Sequence, residues 1–156
     1  MNSPALARPD LIDELTNRFG SQCVVVGIDS RESAGVHRAW QLTGDPARAH
    51  NCGREVHQWV REVQERGAGE IVLNCMASDG VRNGYDLEHL RAVRSICNVP
   101  LVASGGAGTT QHFRDVFSEA QVDAALAASV FHAGVIRIPD LKRELHAAGI
   151  PVRLVA

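Results

Sequence analysis

The chain lacks long apolar runs, is poor in aromatic side chains and carries little net charge. No stretch approaches the roughly 18 consecutive apolar residues of a membrane span, and the N-terminus lacks the basic and apolar regions of a signal peptide. Aromatic residues make up 4% of its 156 residues, too few to predict a stacking surface for bases. A net charge of −2 disfavours nucleic acid or an anionic membrane as a partner. We therefore expect a cytoplasmic, globular domain with neither partner.

The sequence also lacks a set of ligand-type residues with the spacing typical of a metal site. The seven histidines are scattered without ligand spacing to cysteines or carboxylates, so we expect no metal. None of the cysteines forms a C-x-x-C pair, and this usage suits free thiols in a reducing cytoplasm rather than a zinc site or a disulfide framework. The cysteines concerned are Cys23, Cys52, Cys75 and Cys97.

The most informative feature that is present is the run SGGAGT at residues 104–109. The apolar segment 100–103 before it predicts a buried strand, and residues 110–120 after it predict a helix. A glycine-rich turn between a strand and a helix directs backbone N–H groups and the helix dipole at one spot, which suits a phosphate. The run is not a P-loop, since no Gly-Lys-Ser/Thr follows, nor a dinucleotide fingerprint, since Gln111 stands at the third glycine. A tight turn that binds nothing is the alternative.

Strand-like and helix-like segments alternate along the chain. Apolar runs predict strands at 22–28, 71–73, 100–103 and 124–128. Periodicity and end signals predict helices at 9–19, 56–67, from Asp86 onward, at 110–120 and at 139–149. The polar segment from Ser30 to Gly53 is too long for a simple connector and is expected to carry function or mobility. Four βα units of this kind predict a parallel sheet, in a barrel or an open α/β fold.

Polar residues and glycines follow the predicted strands at the point where each strand ends. In barrels and in open α/β sheets, the chemistry sits at these carboxyl ends. Carboxylates, hydroxyls, an amide and two glycine turns converge there, which favours a phosphate site over an empty turn. Beside the glycine run, the residues are Asp29, Asn74, Asp79, Gly80, Ser104 and Ser129.

Four segments resemble the cyclase subunit family of imidazole glycerol phosphate synthase. They are RGAGEIVL at 66–73, DGVRNGYD at 79–86, SGGAG at 104–108 and AASVFH at 127–132. The Gly84-Tyr85-Asp86 step is particularly specific, because the sister isomerase of histidine biosynthesis shares the phosphate turns but is less similar there. The resemblance runs from about Asn2 to Leu154.

The resemblance implies an α/β fold related to a (βα)8 TIM barrel built from two homologous halves. This chain matches the second half, so we expect a single (βα)4 half-barrel domain over residues 1–156. Within it, residues 1–20 form a leading helix and residues 21–156 form four βα units. Two unpaired sheet edges and an apolar inner face favour association, either as a homodimer or with the complementary N-terminal half-barrel.

The resemblance also implies the reaction. The family's cyclase, a lyase, joins ammonia to phosphoribulosyl formimino aminoimidazole carboxamide ribotide and releases imidazole glycerol phosphate and aminoimidazole carboxamide ribotide, without a cofactor. Asp29 matches one of two acid/base aspartates, and a carboxylate at a strand's end can move protons during amine addition and ring closure. On the sequence alone, Asp29 could instead cap the loop that follows.

The substrate residues follow from the same match. Asn74 and Ser104 fall on the floor near the reacting centre, although the family often has threonine where Asn74 stands. Glu70, at the opposite end of its strand, matches a charged ring around the ammonia entrance that faces a glutaminase subunit; a solvated surface charge is its alternative. The pocket for one of the two substrate phosphates matches Asp79, Gly80, Gly105, Gly106, Ala128 and Ser129.

Two further interpretations of the chain remain open at this point. A catalytically weak, self-associating half-barrel would bind phosphate and turn over little, because the family's second catalytic aspartate lies on strands that this chain does not match. A fragment of a related sugar-phosphate isomerase would share the phosphate turns, but the Gly84-Tyr85-Asp86 step counts against it.

Overall fold

A six-stranded, mostly parallel sheet organises the chain in the computed structural model, which describes residues 1–154. The last two positions of the expected domain, 155 and 156, lie outside the described residues. The strands run in the spatial order β3-β2-β1-β4-β5-β6. Their bounds are β1 Val25–Ser33, β2 Val36–Gln41, β3 His50–Glu55, β4 Glu70–Cys75, β5 Leu101–Ser104 and β6 Ala124–Leu126.

Helices connect the parallel strands and precede the sheet. A 3-10 turn at Ser21–Cys23 leads into β1. None of the helices in the described residues is long and apolar enough to cross a membrane. The α-helices are α1 Ser3–Ala7, α2 Asp10–Phe19, α3 Val56–Glu65, α4 Leu87–Arg94, α5 Thr110–Glu119, α6 Ser129–His132 and α7 Ile138–Ala147.

The hydrophobic core lies between the parallel strands and the helices that connect them. Alternate residues of β1 and β4 are fully buried, because successive side chains of a strand point to opposite faces. Helix α3 buries one apolar stripe, as its spacing predicts, and Trp59 in that stripe is 1% exposed. Trp59 is therefore part of the core. The buried strand and helix residues include Val26, Ile28, Ile71, Leu73, Val56, Val60 and Val63.

Most helix predictions are confirmed within one or two residues. Helix α2 begins at Asp10 with Pro9 at its N-cap position. Asp86 caps α4, because its side chain accepts a hydrogen bond from the His89 backbone N–H at 3.0 Å. The expected single leading helix is wrong, since residues 1–20 contain both α1 and α2. Helix α1 has barely more than one turn, so it is too short to show a helical period of apolar residues.

The segment from Ser30 to Gly53 is the main correction to the expected fold. Instead of an irregular connector, it continues β1 to Ser33 and adds two antiparallel strands, β2 and β3. Ala34 and Gly35, with φ of 54° and 78°, form the two-residue turn, and two positive φ values are typical of the hairpin turns that match strand twist. The expected strand at 22–28 is also corrected, because the 3-10 turn delays its start to Val25. The sheet is therefore mixed rather than wholly parallel.

Candidate active site

One row of residues crosses the carboxyl-end region of the parallel strands. Asp29 pairs with Asn74, Asn74 with Ser104, and Ser104 with Leu126 in the sheet register. Because paired residues lie at the same height and their side chains share a face, the register brings Asp29, Asn74 and Ser104 together. Three of the sequence-predicted site residues thus stand side by side on one sheet face.

The Asp29 carboxylate is held by three side-chain donors. Asn74 Nδ2 donates to Oδ1 at 2.9 Å, and Asn2 Nδ2 donates to Oδ2 at 2.7 Å. The Thr43 hydroxyl also donates to Oδ2. Asp29 is 8% exposed, and no backbone N–H in the described residues donates to its carboxylate, which disfavours the loop-capping interpretation. The carboxylate is therefore fixed in orientation from two sides.

Asn2 and Thr43 are site residues that the sequence argument did not identify. Asn2 lies just before α1, and Thr43 lies in the connection between β2 and β3. They are separated from Asp29 by 27 and 14 positions along the chain. Neither carries a local motif, so the folded hairpin and the N-terminal segment are what bring them to the carboxylate.

A cavity of about 220 Å³ lies at the carboxyl ends of β4, β5 and β6. All eight residues predicted to bind substrate or phosphate line it. Asp29 contacts this group through Asn74 and is not itself part of the lining. The lining residues are Asn74, Asp79, Gly80, Ser104, Gly105, Gly106, Ala107, Leu126, Ala127, Ala128 and Ser129.

Two glycines of the 104–109 run are required by close backbone packing. Gly105 and Gly106 have φ of 93° and 111°, in the region that side chains rarely adopt. A Cβ on Gly105 would lie 2.7 Å from the Cys75 carbonyl oxygen, and one on Gly106 would overlap the Gly84 carbonyl oxygen. The Gly84 N–H in turn donates to the Gly106 carbonyl oxygen at 2.8 Å. The loop after β4 and the turn after β5 are thereby joined into one rigid wall of the cavity.

Tyr85 and His112 hold the outer parts of these loops. The Tyr85 hydroxyl donates to the Leu126 carbonyl oxygen at 3.0 Å, and burial raises the pKa of this phenol well above its usual range. The Gly108 N–H donates to His112 Nδ1 at 3.0 Å, so the first turn of α5 supports the glycine turn that precedes it. The Gly84-Tyr85-Asp86 step thus links the loop to β6 through Tyr85 and begins α4 through Asp86.

Glu70 lies away from the cavity. It is the first residue of β4 and pairs with Val25, the first residue of β1, whereas Asn74 stands near the other end of the same strand. The side chain is half-buried. The structure therefore places Glu70 at the amino-end region of the parallel strands, as its position in the sequence predicts.

A histidine cluster lies outside the cavity. The rings of His37 and His89 stack with centroids 3.5 Å apart, and the His57 ring meets His89 edge-on at 5.9 Å. The Ser30 hydroxyl lies 2.9 Å from His89 Nε2. Burial, followed by the neighbouring His37, lowers the pKa of His89 to about 4. Sequence spacing does not reveal this cluster, because its members come from three separate elements. Residues 1–154 contain no group of three histidine, cysteine or carboxylate side chains able to hold a metal ion.

Comparisons with known proteins show which family the chain resembles. A family model described as "Histidine biosynthesis protein" matches residues 1–137. The chain is 61% identical over 154 residues to "Imidazole glycerol phosphate synthase subunit HisF" of Xanthomonas euvesicatoria pv. vesicatoria, covering 98% of this chain and 60% of that protein. The protein of the same name from Xanthomonas campestris pv. campestris (strain B100) is 60% identical with the same coverage.

A relative from another genus gives the same result. The protein of that name from Francisella philomiragia subsp. philomiragia is 57% identical over 155 residues, covering 99% of this chain and 60% of the relative. The chain therefore spans about 60% of the length of the curated relatives it matches.

Proposed function

The chain belongs to the histidine biosynthesis protein family, and we propose that it supplies one catalytic carboxylate and one phosphate site to an imidazole glycerol phosphate synthase cyclase. The observation that carries this proposal is the adjacency of a fixed Asp29 carboxylate and a cavity walled by two interlocked glycine loops. The shared name of the relatives supports a cyclase over a sugar-phosphate isomerase and over a binding module with little turnover.

In this proposal the cavity anchors one phosphate of the ribotide substrate. Backbone N–H groups of the two turns provide donors, and the glycines admit the anion because they carry no Cβ. Ser104 and Ser129 add hydroxyl groups at the cavity wall. Anchoring one end of a flexible substrate positions its reacting centre against the polar row at the strand ends. The residues assigned to phosphate are Asp79, Gly80, Gly105, Gly106, Ala128 and Ser129.

Asp29 acts as a general acid/base while ammonia adds and the imidazole ring closes. An ionised carboxylate accepts a proton from the added amine and returns it to the oxygen that leaves as water. Asn2 and Asn74 hold the two carboxylate oxygens in fixed directions, and Asn74 also lines the cavity. Asn74 can therefore connect the proton-transfer group to the substrate-binding wall.

We further infer that the four parallel strands and their helices form half of a (βα)8 barrel. The complementary half-barrel, which carries the family's second aspartate, would cover the inner face of the sheet; a second copy of this chain in a homodimer is the other candidate. Glu70 would then stand at the ammonia entrance and face a glutaminase subunit. Light scattering separates the three states of the chain in solution: monomer, homodimer, or complex with the added half.

The test is an ammonia-dependent cyclase assay on the chain alone and on the chain mixed with the part of a Xanthomonas relative that it does not match. We expect turnover in the mixture, and a loss of at least a thousandfold with Asp29→Asn. Asp115→Asn, at a half-buried position of α5 that does not line the cavity, is the matched control and should retain activity. Equal activity of the two variants would overturn the role of Asp29, and a folded mixture without turnover would overturn the cyclase function.

A further inference from the structure

Arg82 reaches across the mouth of the cavity. It lies in the loop after β4, three residues beyond Asp79, and its Nε donates to the Ser129 hydroxyl at 3.2 Å. Ser129 lines the cavity from the opposite side, at the start of α6. The side chain of Arg82 is exposed, so its guanidinium bridges two walls of the cavity from the solvent side.

A phosphate bound in this cavity would need a nearby cation to balance its charge. Asp79 is the one ionisable side chain among the residues that line the cavity, and it is acidic. A phosphate monoester carries between one and two negative charges at neutral pH, and backbone N–H groups offset this charge only in part. Among residues 1–154, no carboxylate lies within ion-pairing distance of Arg82. Its charge is therefore free to pair with an anion.

The backbone at Arg82 is fixed although its side chain is exposed. Arg82 has φ of 61°, an uncommon conformation for a residue with a side chain. Its carbonyl group packs so closely on Gly108 that a Cβ there would overlap the carbonyl oxygen. This contact ties the loop after β4 to the glycine run, so the guanidinium starts from a defined point beside the cavity and can reorient without moving the loop.

We propose that Arg82 is the cationic phosphate-binding residue of this site and that the Ser129 hydroxyl positions its guanidinium beside the cavity. This inference rests on the proposed function, since it names the group that neutralises the substrate phosphate. The ligand is a phosphate monoester in its dianionic form. When the ligand enters, the guanidinium exchanges the Ser129 hydroxyl for phosphate oxygens, with which its planar fork of N–H donors can form two parallel hydrogen bonds.

Calorimetric titration of the chain with inorganic phosphate tests the proposal. Arg82→Gln removes the charge and should weaken binding about tenfold or more, because a charge-assisted hydrogen bond is lost. Arg82→Lys keeps the charge but lacks the planar fork of donors, so its phosphate affinity should lie between those of the unchanged chain and Arg82→Gln. Arg61→Gln, an equal charge change on the exposed face of α3, should bind phosphate like the unchanged chain. Thermal unfolding of each variant measures any structural effect separately.

The salt dependence of phosphate affinity gives a second measurement, which would not change if Arg82 had only a structural role. If Arg82 contacts the anion, the phosphate affinity of Arg82→Gln should fall less steeply with rising ionic strength than that of the unchanged chain, since salt screens charge pairs. If the unchanged chain binds phosphate and Arg82→Gln binds it equally well with the same salt dependence, the role of Arg82 is overturned while the phosphate site stands. If the unchanged chain binds no phosphate, both the site and the role of Arg82 are overturned.

Discussion

Asn74 donates a hydrogen bond from Nδ2 to Asp29 Oδ1 at 2.9 Å, across the pairing of β4 with β1. Asn74 also lines the cavity at the strand ends. One amide side chain thus joins the carboxylate proposed for proton transfer to the wall proposed for anchoring. The two parts of the site are held in a fixed relation by the sheet itself rather than by a mobile loop.

Removing one donor from the Asp29 carboxylate should reduce turnover without affecting phosphate binding. Thr43→Val keeps the shape of the side chain and removes the hydroxyl that donates to Oδ2. We expect kcat in the reconstituted assay to fall about tenfold, the cost of one hydrogen bond to a charged group. Thr43→Ser retains the hydroxyl and is the control. An unchanged kcat for Thr43→Val would show that this hydroxyl does not orient Asp29.

Adding a methyl group to the glycine turn should abolish phosphate binding. Gly106→Ala combines a φ of 111° with overlap on the Gly84 carbonyl oxygen, so the two loops must separate. Gly149→Ala, with φ of 78° and no atom within 4 Å of the new Cβ, isolates the backbone cost of about 1 kcal/mol. Urea unfolding should show a larger loss of unfolding free energy for Gly106→Ala than for Gly149→Ala. Phosphate titration should detect binding only for Gly149→Ala. Equal losses would contradict the close-packing account.

The buried histidine stack should make the fold sensitive to acid. The pKa of His89 lies near 4 in the fold against an ordinary 6.5, so between these values the unfolded chain takes up a proton that the folded chain does not. The free energy of unfolding therefore falls as the pH drops from about 6.5 to about 4, by up to roughly 3 kcal/mol from this residue. His37, His57 and Asp86 are the titratable groups that act on it.

Denaturant titrations between pH 7.5 and 4 test this sensitivity. His89→Leu should flatten the pH dependence of stability in the acid range. His146→Leu, at an exposed position of α7, should leave it as steep as in the unchanged chain. The same slope in both variants would show that other groups cause the acid sensitivity.

The four free thiols should differ sharply in reactivity. Burial raises the pKa of Cys75 to about 12 and also raises that of Cys97, and both side chains are buried, whereas Cys23 is exposed. Because the thiolate is the reactive form, a disulfide reagent should label Cys23 within minutes and reach Cys75 and Cys97 on unfolding. Mass spectrometry of timed samples identifies the labelled positions. Early labelling of Cys75 would contradict its burial.

The regular part of the fold could be predicted from the sequence. The parallel strands carry continuous apolar runs, and local signals such as the Asp86 cap mark helix starts. The antiparallel hairpin could not, because residues 30–53 are polar and the Ala34-Gly35 turn is a weaker signal than the Asn-Gly or Asp-Gly pairs that favour such turns. Strand pairing there depends on an edge of β1 that exists only after folding.

The same division applies to the candidate site. The eight predicted binding residues follow strand ends or match family motifs, and the structure brings them to one cavity. Asn2 and Thr43 belong to no motif, and their contacts with Asp29 join distant parts of the chain. Arg82 lies within the DGVRNGYD segment, but nothing in that segment reveals its contact with Ser129. Side chains that orient or neutralise a site are chosen by tertiary proximity, so sequence spacing does not reveal them.

Nuclear magnetic resonance mapping of phosphate binding tests the central claim most directly. Amide resonances of the 15N-labelled chain are followed while inorganic phosphate is added, with an equal ionic strength of chloride as the control. We predict saturable shifts concentrated at Gly80, Gly105, Gly106 and Ser129, and weaker shifts elsewhere. An absence of saturable shifts, or shifts centred away from the two glycine loops, would contradict the assignment of this cavity as the phosphate site.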